Sequence, residues 1–70
     1  MQTIQVAFAS DNHYAQHMAV SIASLLKNVD ASMAIHIYIL YEDLEKRHID
    51  NLKKLIRLHE NTEIEFLKLS

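Results

Sequence analysis

The chain contains no glycine, no proline and no cysteine. Average usage predicts roughly five glycines and three or four prolines in a chain of this length. Their absence excludes the glycine-rich phosphate loops of dinucleotide-binding and P-loop proteins, so side chains and ordinary backbone must hold any bound nucleotide. Without cysteine, neither disulfides nor thiolate metal sites are available. Left-handed helix caps then require asparagine, and we expect such caps at Asn28 and Asn61.

The chain also lacks an excess of positive charge and any long apolar run. Its basic and acidic residues are mixed along the sequence and give a net charge of −2, which argues against a nucleic-acid partner. The apolar stretches are too short to span a bilayer. Residues 1–10 lack the basic start and continuous apolar core of a signal peptide. We therefore expect the protein in the cytoplasm.

Hydrophobic periodicity predicts five alternating elements. Residues 3–9 alternate in polarity and residues 34–41 are apolar nearly throughout, which indicates two strands; residues 63–69 form a third strand, with charges typical of a sheet edge. Apolar residues recur at spacings of three and four in residues 14–28 and 43–59, which indicates helices. Right-handed crossovers join such a β-α-β-α-β unit into a parallel α/β sheet of order 3-2-1. The apolar second strand favours a three-layer arrangement with both faces covered.

The polar turn after the first strand is the strongest functional signal in the sequence. It places an acid, an amide, an imidazole and a phenol together at Asp11, Asn12, His13 and Tyr14. Ligands of open α/β sheets bind at the carboxyl ends of strands, where this turn lies. Asp11 or Asn12 also suits the start of the next helix, because their side-chain oxygens accept free amide hydrogens of a first turn.

The segment that contains this turn resembles the family 8 glycosyltransferases, a family that includes glycogenin and bacterial enzymes of lipopolysaccharide synthesis. The resemblance begins with Val6-Ala7-Phe8-Ala9-Ser10-Asp11-Asn12-His13-Tyr14, continues to Asn28, and extends to Ile35–Leu40 and Ile64–Leu67. It implies a GT-A fold, of which this chain would be the N-terminal nucleotide-binding half. It also implies hexose transfer from a UDP-sugar to a saccharide or glycolipid acceptor, with retention at the anomeric carbon, in lipopolysaccharide or other surface glycan synthesis.

The resemblance implies nucleotide-binding roles for four residues of the turn. The Ala9 backbone would lie against the ribose and uracil, and the Asp11 carboxylate would accept the uracil imide hydrogen. Tyr14 would stack on the base, although a packing role in the first helical turn is the alternative. His13 stands where the family commonly has asparagine, and its imidazole can still donate a hydrogen bond to a base carbonyl.

The family's metal site, for Mn²⁺ or Mg²⁺, uses an Asp-x-Asp motif that the resemblance places beyond residue 70. We therefore expect residues 1–70 to be one partial domain, truncated before that motif. The nearly uncharged first strand supports this expectation, because an apolar strand left at a sheet edge invites aggregation. The chain alone is expected to be inactive, since nothing would offset the charge on the UDP leaving group. Membrane contact, peripheral to the inner membrane, would come only through C-terminal segments outside this chain.

Several acids and histidines have a structural interpretation beside the functional one. Acids at the position of Asp11 are most often helix caps. Glu42 and Asp43 would share a rim with Asp11, but acids before a helix commonly favour the positive end of its dipole. His13 and His17 have a spacing that metals use and lack a third ligand.

Two further expectations concern a strand histidine and the chain as a whole. His36 on the second strand is expected to be a packing histidine with satisfied hydrogen bonds. The alternative to a transferase is a small stand-alone α/β interaction or regulatory module without catalysis. Receiver-type modules share the layout, but they carry a phospho-acceptor aspartate after the third strand, where this chain stops.

Overall fold

A computed structural model describes residues 3–30 and 32–69. Its elements are β1 (Thr3–Ser10), α1 (Ala15–Asn28), β2 (Ala34–Tyr41), α2 (Lys46–Arg57) and β3 (Thr62–Lys68). The three strands form one parallel sheet in the order β1-β2-β3. This confirms the predicted strand order, and each strand boundary lies within one residue of its prediction. The second helix is shorter than the predicted 43–59 at both ends.

The predicted domain, residues 1–70, includes residues 1, 2, 31 and 70, which lie outside the described part. Within residues 3–30 and 32–69, neither helix combines the length and the apolar character needed to cross a membrane. The two edge strands of the described sheet are β1 and β3.

Both helices cover the same face of the sheet. Two right-handed crossovers that step in one direction, from β1 to β2 to β3, place both connecting helices on one side. The central strand β2 supplies three fully buried side chains to this face, and the helices and the loop before α2 supply the others. The core consists of Ala15, Met18, Ile22, Leu26, Ile35, Ile37, Ile39, Leu44 and Leu52. Full burial of each large aliphatic side chain stabilises the fold by about 1.5–3 kcal/mol.

The other face of the sheet carries no helix among the described residues. The alternate residues of β2, His36, Tyr38 and Leu40, point to this face and are half-buried. The His36 and Tyr38 rings stack there, with centroids 4.4 Å apart and an interplanar angle of 9°. The described residues therefore form two layers rather than the expected three, because both crossovers run in the same direction.

His36 packs against Tyr38, as predicted for a packing histidine, but its hydrogen bonds are not all satisfied. Its Nδ1 lies 3.6 Å from the Glu63 carboxylate and its Nε2 lies 3.4 Å from the Glu65 carboxylate. Nε2 is nevertheless buried without a hydrogen-bond partner, because the Glu65 contact lacks hydrogen-bonding geometry. A buried polar atom left unpaired costs about 1–3 kcal/mol, so this position is a local weakness on the open face.

The two asparagines expected at left-handed caps behave differently. Asn61, which precedes β3, has the predicted left-handed backbone, with a φ of 63°, but it is not a helix cap, because α2 ends at Arg57 and its C-cap residue is Leu58. Asn28 is the last residue of α1, and its Nδ2 donates to the Ser24 carbonyl at 2.9 Å. The helix then ends in extended backbone at Val29, with φ −91° and ψ 140°. The prediction for Asn28 is wrong, because an extended exit needs no left-handed residue.

Candidate functional site

The carboxyl ends of β1 and β2 lie side by side at one edge of the sheet. Their parallel register pairs Ser10 with Tyr41, so the loops that follow, residues 11–14 and 42–45, are neighbours. A concavity of about 320 Å³ opens at this edge. It is lined by Ala9, Ser10, Asp11, Tyr14, Leu40, Glu42 and Leu69.

Asp11 lies on the concavity and also stabilises its own loop. Its Oδ1 accepts a hydrogen bond from the Tyr14 backbone N–H at 2.9 Å. Tyr14 is the N-cap residue of α1, so Asp11 closes the turn that leads into the helix. A carboxylate offers about four acceptor positions on two oxygens. One hydrogen bond to the backbone therefore leaves Asp11 able to accept another from a ligand.

Tyr14 lines the same concavity. The residue is 43% exposed, so its phenol is not part of the core. Its carbonyl accepts from the Met18 N–H at 2.9 Å, the first hydrogen bond of α1. The Tyr14 ring lies 6.0 Å from the His17 ring at a tilt of 31°. The helix start thus fixes the backbone of Tyr14 while its ring stays accessible, which disfavours the packing alternative.

The structure brings together three of the four residues predicted to bind nucleotide. Ala9 joins Asp11 and Tyr14 in the lining, and its register partner Leu40 lines the concavity beside it. His13 is exposed and is not among the lining residues. A contact between His13 and a bound base stays a prediction.

Glu42 lies in the concavity rather than at a helix start. The helix α2 begins at Lys46, after its N-cap residue Glu45, and its first turn contains no acid. The expectation that Glu42 and Asp43 lie at the start of that helix and interact with the positive end of its dipole is therefore wrong. Leu44 is buried in the core, which keeps residues 42–45 in a loop that packs on the sheet before the helix can start.

Asn12 was considered for the start of α1 and instead serves α2. Its Oδ1 accepts a hydrogen bond from the Glu45 backbone N–H at 2.8 Å. Glu45 is the N-cap residue of α2 and makes no side-chain cap hydrogen bond of its own. Sequence reasoning missed this contact, because only the pairing of β1 with β2 brings the two loops together. The sequence did contain one indication of it: two cap-type residues, Asp11 and Asn12, precede a single helix, so one of them was free to cap another.

The lining of the concavity is acidic and apolar. Asp11 and Glu42 are its two charged residues, and among the described residues that line it none is basic. Such a lining favours a neutral group that donates a hydrogen bond. It offers no counter-charge to a phosphate.

The resemblance implies a divalent metal site for members of the family. In residues 3–30 and 32–69 there is no group of three or more His, Asp or Glu side chains arranged to hold a metal ion. Asp11 and Glu42 share the concavity, whereas His13 and His17 are exposed and do not line it. Neither pair has a third ligand in this part of the chain. These residues therefore do not by themselves fit a divalent metal.

Comparison with a solved structure shows the class of fold to which the chain belongs. An apo structure of the WbbM bifunctional glycosyltransferase is similar, with a TM-score of 0.89 and 21% sequence identity. The match covers 94% of this chain and 12% of that chain, so the present sequence spans a small part of that protein's length. The likeness shows that the β-α-β-α-β unit has a GT-A-like glycosyltransferase fold.

The family follows from the sequence itself. The model of glycosyl transferase family 8 matches residues 5–68, and the chain belongs to this family. No curated protein matches the chain. Family membership favours the glycosyltransferase interpretation over the stand-alone interaction or regulatory module.

Proposed function

We propose that this chain supplies the part of a retaining glycosyltransferase that binds the nucleotide of a UDP-sugar. In the whole protein, a hexose would move from the UDP-sugar to a saccharide or glycolipid acceptor in lipopolysaccharide or other surface glycan synthesis. The protein would act in the cytoplasm, at the inner membrane. The observation that carries the proposal is the shared concavity at the carboxyl edge of the sheet, which Asp11 and Tyr14 both line.

The chemistry of uracil matches these two side chains. Its flat ring can stack on the accessible face of Tyr14, and base–aromatic stacking contributes about 1–3 kcal/mol. Its imide N3–H is a donor, which suits the remaining acceptor positions of Asp11. Cytosine has an acceptor at the same ring position, so it would face the carboxylate with like polarity. The proposed site therefore selects uracil over cytosine.

The diphosphate of UDP gains nothing from the described lining, which contains two acids and no base. Neutralisation of its charge is left to groups that do not line the concavity. UDP and uridine should therefore bind the 70-residue chain with similar affinity. For the same reason we expect no hexose transfer by this chain alone. Release of UDP from UDP-glucose or UDP-galactose by the purified chain, with a divalent metal and a sugar acceptor present, would contradict that expectation.

Nucleoside titration tests the proposed site. Uridine, UDP and cytidine are added separately to the isotope-labelled chain, and the amide signals of Ala9, Asp11 and Tyr14 are followed by NMR. Uridine and UDP should shift these signals with dissociation constants within about three-fold of each other, and cytidine should bind about ten-fold more weakly, as expected when the Asp11 carboxylate faces the cytosine N3 acceptor instead of a donor. Ser32, at the opposite edge, serves as the internal control. Shifts confined to Ser32 and its neighbours, or equal affinity for cytidine, would refute the assignment.

A further inference from the structure

We infer that Asn12 is a positioning residue for nucleotide binding, which its side chain supports by holding the loop of Asp11 and Tyr14 against the start of α2. This inference rests on the proposed function. Asn12 does not line the concavity, whereas the residue before it and the residue two positions after it do. Its contribution must therefore pass through the backbone that it fixes.

The hydrogen bond of Asn12 joins residues that are 33 positions apart. Its Oδ1 accepts from the Glu45 N–H at 2.8 Å. The Glu45 carbonyl in turn accepts from His48 N at 3.0 Å and Ile49 N at 3.3 Å, the first hydrogen bonds of α2. Glu45 also follows Leu44, which is buried in the core. Asn12 thus ties its loop to a point that the helix and the core hold in place.

Asp11 and Asn12 each order residues 11–14 through a different hydrogen bond. Asp11 closes the loop internally through the Tyr14 N–H at 2.9 Å, and Asn12 ties it to the neighbouring loop. Without Asn12, residues 11–14 would keep their internal turn but could shift relative to Glu42 on the far side of the concavity. A loop that is ordered before the ligand arrives loses less conformational entropy on binding. The tie should therefore raise affinity without any contact to the base.

Three variants test this role in the full 70-residue chain. Asn12→Ala removes the acceptor and should weaken uridine binding about three- to ten-fold, the range expected for one hydrogen bond. Asn12→Asp keeps an oxygen that can accept from the Glu45 N–H, so it should restore affinity to within about two-fold of the parent. Asn28→Ala is the matched control, because it also removes a side-chain to backbone hydrogen bond, of 2.9 Å, but at the end of α1. It should leave the affinity unchanged.

A measurement without ligand distinguishes loss of the Asn12–Glu45 hydrogen bond from a general loss of stability. Amide hydrogen exchange at Glu45 should accelerate in Asn12→Ala and not in Asn12→Asp or Asn28→Ala. Should Asn12→Ala fail to fold, Asn12→Ser replaces it with the same expectations, because the serine hydroxyl is too short to reach Glu45.

The outcomes distinguish this inference from the proposed function. If the parent chain does not bind uridine, the proposed function fails and the inference fails with it. If the parent binds and folded Asn12→Ala binds equally well, the inference alone is overturned. It is also overturned if Asn12→Asp protects the Glu45 amide but leaves binding as weak as in Asn12→Ala, or if Asn28→Ala weakens binding to the same degree.

Discussion

Side-chain hydrogen bonds at the two ends of the parallel strands span very different sequence distances, whereas backbone hydrogen bonds join distant residues at both ends, as Ile35 N–H does with the Asn61 carbonyl at 2.9 Å. At the amino edge, where the amino ends of β2 and β3 lie, Asp30 Oδ1 accepts from the Ser32 N–H at 2.9 Å, and His59 Nδ1 lies 2.8 Å from Thr62 Oγ1. At the carboxyl edge, Asn12 reaches Glu45 across 33 positions. A local hydrogen bond only turns the chain, whereas a distant one closes a long loop at an entropic cost. The carboxyl edge holds two loops in a fixed relation, which is what a binding site between them needs.

Charged residues at the amino and carboxyl ends of the strands also differ in their placement. Basic residues of the last helical turns, Lys27 in α1 and Lys54 and Arg57 in α2, lie toward the amino edge, where they complement the negative ends of the helix dipoles. Neither helix has an acid in its first turn. The acids of the carboxyl edge lie in the loops instead, and Asp11 and Glu42 line the concavity. The basic residues thus have a structural role, and the acids of the concavity are available to a ligand.

The largest difference between the edges should appear on removal of an aromatic ring. Tyr14→Ala takes away the proposed stacking surface and should weaken uridine binding roughly five-fold to a hundred-fold, which corresponds to the 1–3 kcal/mol of one stacked base. His59→Ala removes a ring from the amino edge and should leave uridine affinity unchanged. Calorimetric titration of both variants measures the difference. Equal affinities in Tyr14→Ala and the parent would show that the phenol does not hold the base.

Replacement of a carboxylate by an amide should have the next largest effect on uridine binding, and only at Asp11. Asp11→Asn keeps an oxygen for the Tyr14 N–H but turns the second oxygen into an amide donor that faces the uracil N3–H. Uridine binding should weaken about ten-fold, in line with loss of a charged hydrogen bond. Asp30→Asn makes the same change in the Ser32 turn and should have no effect on binding. Matching losses in both variants would mean that Asp11 acts only as a cap.

A smaller effect, on stability rather than binding, is expected at the left-handed residue of the amino edge. Asn61→Ala places a Cβ-bearing residue without a compensating polar side chain at a φ of 63°, and should lower the free energy of unfolding by about 1 kcal/mol. Asn61→Gly should cost less than the alanine change, because glycine adopts positive φ readily. Urea denaturation followed by circular dichroism gives both values. A greater loss in the glycine variant would argue that the asparagine side chain, rather than its backbone conformation, stabilises this loop.

Much of this fold could be predicted because its causes are local. The two-residue alternation of β1 and the apolar run of β2 determine the strands, and right-handed crossovers then leave one sheet order. The same logic places the residues after β1 at a ligand-binding edge. That Asp11 and Tyr14 share one concavity follows from these local features together with the family resemblance.

The features that sequence reasoning missed depend on contacts between distant parts of the chain. Either Asp11 or Asn12 could cap α1 by type, and the structure assigns them to different helices because β1 pairs with β2. The helix α2 begins at Lys46 and not at residue 43, because burial of Leu44 in the core keeps the residues before it in a loop. Glu45 has extended backbone, with φ −64° and ψ 148°, and no local pattern showed that the extended segment continues this far.

The smallest expected effect concerns the acid of the amino edge and how its charge is stabilised. The Ser32 backbone N–H, followed by the Ser32 hydroxyl, lowers the pKa of Asp30 below its ordinary value of 3.8. A lowered folded-state pKa means that the turn contributes its stability fully above the unfolded value and loses it as the pH falls through the lowered pKa. Asp30 is fully exposed, so this contribution is small.

The titration of Asp30 shows whether the Asp30–Ser32 turn at the amino edge depends on the Asn12–Glu45 hydrogen bond at the carboxyl edge. Its side-chain carboxyl signal, followed by NMR from neutral to strongly acidic pH, should titrate below 3.8 in the parent chain. Ser32→Ala removes the hydroxyl but keeps the backbone N–H, so the pKa of Asp30 should rise only part of the way. Asn12→Ala, at the far edge, should leave this titration unchanged, because a hydrogen bond between residues two apart needs no distant support. If Asn12→Ala changed the pKa of Asp30, the two edges would be coupled. The Asp30–Ser32 turn would then not be independent of the Asn12–Glu45 hydrogen bond.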